Sequence, residues 1–82
     1  MVPITLQRFM TELEKIKQEL ADGKMQPENY DSRLARVISE LRDRGLDADR
    51  ATATLALADA VTRGVITREV EAHLQSRLGF AG

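Results

Sequence analysis

Four stretches of this chain carry apolar residues three or four positions apart, the spacing that lines one face of an α-helix. In the first, Leu6, Phe9, Met10, Leu13, Ile16 and Leu20 form the stripe, and the pattern predicts a helix from about Leu6 to Ala21. Glu12, Glu14, Lys15, Lys17 and Glu19 fill its other faces, with Arg8 and Glu12 spaced for an i,i+4 pair. The second stripe is Tyr30, Leu34, Val37, Ile38 and Leu41. Its helix is predicted to open at Pro27, whose missing N–H suits the first helical position, with Glu28 at the positive end of the dipole. A third helix is predicted from an Asp47 N-cap, with Asp49 in the first turn, to about Arg63. The fourth starts at a Thr67 N-cap, has Glu69 in its first turn, and carries a narrow stripe of Val70, Leu74 and Leu78.

Each stretch ends on a glycine: Gly23, Gly45, Gly64 and Gly79. Glycine takes the left-handed conformation just past a helix end without a Cβ penalty. Leu46 is expected to fold back onto Leu41, and Phe80 to pack back after Gly79, with Ala81 and Gly82 frayed. The fold class that follows is all-α, a small four-helix bundle built from two antiparallel helical hairpins. One domain spans 1–82, with hairpin one over about 6–44 and hairpin two over about 47–79. The expected core is Phe9, Leu13, Ile16, Leu20, Tyr30, Leu34, Val37, Leu41, Leu55, Ala58, Val61, Val70 and Leu74.

The third helix is unusual, because between Ala51 and Val61 its only charge is Asp59. Ala51, Leu55, Ala58 and Thr62 make one face, Ala53, Ala56 and Ala60 a nearly opposite one, and Leu57 and Val61 lie between. A helix apolar on both sides is buried on both sides or receives a partner. The face Ala53, Ala56, Leu57, Ala60 and Val61 is therefore the candidate partner-binding surface, weighed against the plain fact that alanine is the best helix former and tolerates water.

The two halves are similar. Gly23-Lys24-Met25-Gln26-Pro27-Glu28 parallels Gly64-Val65-Ile66-Thr67-Arg68-Glu69, and Tyr30, Leu34 and Ile38 match Val70, Leu74 and Leu78 after a one-residue slip. Over about 13–38 and 57–78 this pattern resembles the bacterial SHOCT-type short helical hairpin, in two copies. The resemblance implies an oligomerisation or interaction role rather than a reaction. Asp59 and Arg63 interrupt the second copy.

Composition narrows the chemistry. With 82 residues there is room for one core and none for a deep substrate cavity beside it. The chain has no cysteine, which excludes disulfides, thiolate ligands and a cysteine nucleophile and suits a cytoplasmic location. No apolar run approaches the roughly 18 residues that span a bilayer, and no signal peptide opens the chain, so no membrane association is expected. Net charge is −1, and between Asp31 and Arg50 five arginines face five acids, so the cation surplus that nucleic-acid binding needs is not there. Arg outnumbers Lys nine to three, pointing to a GC-rich bacterial or phage source.

Individual residues offer little for catalysis. His73 is the only histidine, so no two-histidine zinc motif exists, and Glu69 four residues earlier supplies an i,i+4 neighbour. Glu12, Glu19, Asp22, Glu28 and Asp31 read as a solvated face rather than the raised-pKa pair of a hydrolase. Phosphate loops, nucleophile elbows and calcium loops are missing. The expected protein is a non-enzymatic interaction or regulatory module, without cofactor or metal, that docks on a larger partner or self-associates, for example as a homodimer. The alternative is a DNA-binding transcriptional regulator using 51–78 as a degenerate helix-turn-helix. Against it, Asp59, Arg63 and His73 fall where that motif buries apolar side chains.

Overall fold

The computed structural model describes residues 2–79. The chain runs β1 (Ile4–Thr5), α1 (Leu6–Ala21), a single 3-10 turn (Pro27–Asn29), α2 (Tyr30–Arg44), β2 (Leu46–Asp47), α3 (Arg50–Thr62) and α4 (Arg68–Arg77). The architecture is the expected one, a small helical bundle in which α1 packs on α2, α3 on α4, and α1 on α3. The place expected for Phe80, Ala81 and Gly82 lies outside the described residues.

Local chemistry sets the helix ends. Thr5 caps α1 by accepting the Arg8 N–H at 3.1 Å, and Thr67 caps α4 by accepting that of Val70 at 3.2 Å. At α3 the capping residue is Asp49, which accepts from the Thr52 N–H at 2.7 Å, and not Asp47. Asp47 is unavailable because it pairs with Thr5 in a two-stranded parallel ribbon, in register with Ile4 and Leu46. Pro27 opens a tight 3-10 turn, and the regular α2 begins only at Tyr30; a first turn closed by i→i+3 bonds is a common way for a helix to start.

The two hairpin turns are built alike. After α1, Lys24 N–H donates to Glu19 C=O at 2.9 Å and Gly23 N–H to Leu20 C=O at 3.3 Å. After α3, Val65 N–H donates to Ala60 C=O at 2.8 Å and Gly64 N–H to Val61 C=O at 3.0 Å. Both are Schellman stops, with glycine at φ 74° and 77°. Each then turns an apolar residue inward, Met25 and Ile66, which are 7% and 5% exposed. Gly45 differs. At φ 84° and ψ 155° it is extended rather than helical, a region open essentially to glycine alone, and it launches β2. Its carbonyl accepts the Ile4 N–H at 2.9 Å, and Leu46 sits in the ribbon.

The core joins Phe9, Leu13 and Ile16 of α1, Leu34, Ile38 and Leu41 of α2, Ala53, Leu57 and Ala60 of α3, and Leu74 of α4. Two expected core members are corrected. Leu55 is 71% exposed and Ala58 is on the surface. The inward side of α3 is instead the alanine side, because small residues let its backbone sit close to α1. Leu20, Tyr30, Val37, Val61 and Val70 are half-buried at the core's edge.

Candidate interaction cleft

Ala53, Leu57 and Ala60 are fully buried inside the molecule, and Ala56 and Val61 are partly so. Of the face assigned to a partner from sequence, Ala53, Leu57 and Ala60 are thus taken up by the chain's own packing. The outer face of α3 carries Ala51, Leu55 and Ala58 instead. One exposed leucine among alanines is ordinary for a soluble surface and marks no site by itself.

The seams between helices are more informative. Where α1 meets α2, Arg33 Nη1 lies 2.7 Å from Glu19 Oε2 and Arg8 Nη2 lies 3.4 Å from Glu40 Oε1. The Arg33 contact is an ion pair outside hydrogen-bond geometry, and among the described residues no hydrogen bond reaches that buried carboxylate oxygen. Arg8 therefore reaches across to α2, not along its own helix to Glu12. Glu40 also holds Arg44 at 3.0 Å, and Arg44 Nε donates to the Val2 carbonyl at 3.0 Å, tying down the chain before β1. Where α1 meets α3, Arg63 Nη1 lies 3.1 Å from Glu14, while its Nε donates to Asp59 at 2.7 Å. These contacts raise the Arg63 guanidinium above its ordinary value, Glu14 contributing most.

The α2/α4 seam is different. Asp31, Ala35, Ser39 and Arg42 of α2, with Glu69, His73 and Arg77 of α4, are all exposed and face a shallow furrow. It comprises two adjoining hollows of about 460 and 470 Å³ that share Ala35 and His73. Leu34, Ile38 and Val70 form its floor. Among the described residues no ion pair joins α2 to α4, although five charged side chains line the furrow: Asp31, Arg42, Asp43, Glu69 and Arg77.

At its turn end the furrow opens into a third hollow of about 460 Å³ between the two glycine turns, where Leu20, Pro27 and Tyr30 meet Val65, Ile66 and Val70. Burial, helped by Asp31, raises the Tyr30 phenol, which keeps it protonated and neutral there. His73, at the stripe's edge in sequence, lies midway along the furrow. Among the described residues no cluster of three His, Asp or Glu side chains is arranged to hold a metal ion, and no helix is long and apolar enough to cross a membrane.

Neither family models, curated proteins nor solved structures yield a match to this chain. Sequence reasoning missed the furrow because it is a long-range product of helix order. The available signal was the unclaimed polarity of α2 and α4, each acidic in its first turn and basic in its last.

Proposed function

We propose that this chain is a small non-enzymatic interaction module whose docking site is the α2/α4 furrow. One observation carries the reading: the seams around α1 are closed by ion pairs, while the charged side chains of the α2/α4 seam make no ion pair across it among the described residues. An apolar floor with small residues at Ala35 and Ser39 admits a helix closely, and the charged rims fix its register. The two similarly built turns suit the resemblance to SHOCT-type hairpins and an interaction role. A cysteine-free chain suits a reducing cytoplasm, and its arginine preference a bacterial or phage source. The DNA-binding alternative is weaker, because α4 sets Glu69 and Glu71 beside Arg68 and Arg77 and offers no excess of cation to phosphates.

The reading is tested by placing a photo-crosslinking residue at Ser39 and, separately, at Leu55, in the cell that makes the protein. Defined protein adducts are expected at Ser39 and few at Leu55. No adduct at Ser39, or equal labelling at both positions, overturns the proposal.

A further inference from the structure

The furrow has a direction. α2 and α4 run parallel, so their first turns lie together at one end with Asp31 and Glu69, and their last turns lie together at the other with Arg42 and Arg77. Each charge suits its own helix dipole. Because the helices are parallel, these charges add up into an acidic end and a basic end on one face. Asp43 among the arginines and Lys17 beyond the acids soften this contrast without reversing it. At 1.5 Å per residue, the acid and base are separated by about 16 Å along α2 and about 12 Å along α4.

Such a face is complementary to itself turned end for end. A two-fold axis perpendicular to the furrow, passing near His73, brings Asp31 and Glu69 of one copy over Arg42 and Arg77 of another, and does the same in reverse. Isologous pairing of this kind closes after two copies. Resting on the reading of the furrow as a docking site, we infer that its occupant is a second copy of this chain, seated antiparallel across α2 and α4. Ala35 and Ser39, the small exposed residues of the α2 wall, permit the close approach, and the four charges per copy set the register. The interface is small and polar, so the dimer is of the weak, reversible kind and loosens with salt.

Sedimentation equilibrium on the purified chain, at low and high salt and up to about 1 mM, is the test. The wild type is expected to dimerise, more weakly at high salt. Arg42→Glu with Arg77→Glu, and separately Asp31→Arg with Glu69→Arg, should each weaken dimerisation at least tenfold, and an equimolar mixture of the two should form a heterodimer. Should charge reversal at the helix ends unfold either variant by circular dichroism, Ser39→Trp plugs the furrow without altering charge and should also give a monomer. A wild type that stays monomeric throughout, or a Ser39→Trp variant that dimerises like wild type, overturns the inference. The two proposals fail separately: adducts of Ser39 with other proteins, beside a monomeric wild type, leave the docking site standing and remove self-pairing.

Discussion

Helices α1 and α4 take opposite positions in the same bundle. α1 buries Phe9, Leu13 and Ile16 and is tied to its neighbours through Glu14, Glu19 and Arg8. α4 buries only Leu74 fully, and among the described residues its side chains make no ion pair, although it carries two acids and one arginine beyond its opening Arg68. The contrast separates two uses of charge. Around α1, paired charges finish a seam that apolar packing has already made. Between α2 and α4, charges that make no ion pair among the described residues border a seam left open. Exposed ion pairs contribute little to stability, so the open seam is inexpensive to keep, and its charges are free to govern association instead.

The sharpest way to break this contrast is through the shared core. Leu57→Ala removes a fully buried side chain and should cost about 2–5 kcal/mol in urea unfolding, whereas Leu55→Ala on the outer face of the same helix should change stability by less than about 0.5 kcal/mol. Equal losses would mean that α3 is turned the other way. Next in size is Gly45→Ala. Nothing crowds a Cβ there, so the cost is backbone strain alone, about 1–3 kcal/mol, and the ribbon should suffer with it. A neutral substitution would show that the link from α2 to β2 has another conformation.

Smaller still is the difference between paired and unpaired charge. Glu40→Ala loses contacts to Arg8 and Arg44 and should cost about 0.2–1 kcal/mol at low salt, shrinking at high salt. Measured at monomeric concentrations, Arg42→Ala should cost less than Glu40→Ala and show little salt dependence; a larger loss would reveal a partner for Arg42 within the fold. A pH-dependent effect is expected at Asp49, whose carboxylate is held below its ordinary value chiefly by the Thr52 backbone N–H, then by the Thr52 side chain. Its stabilising contribution is therefore complete above an unfolded value of about 3.9 and fades as pH falls through the lower folded value. Thermal melts of wild type and Asp49→Ala should differ at neutral pH and converge in acid; a constant gap would place the cap elsewhere.

The sequence was most readable where the signal is local. α1 occupies the span its stripe predicts, Thr67 caps α4, and each glycine stop has positive φ, because all three depend on neighbours within a few residues. Reading failed wherever the deciding contact is distant. Ile4 and Leu46 pair across half the chain through strands of two residues, too short for any alternation to show. On α3 the apolar residues ring the helix, so their periodicity carries no direction, and only docking against α1 selects the alanine side. The furrow requires knowing that α2 and α4 lie side by side and point the same way.

That short ribbon supplies a way to watch the chain open locally. The Ile4 amide donates to the Gly45 carbonyl just past the end of α2, so it should resist deuterium only while the segment before α1 stays seated on the link that leaves α2. Its exchange rate then measures how often the ribbon opens, an event that alters no helical residue and that circular dichroism would hardly register.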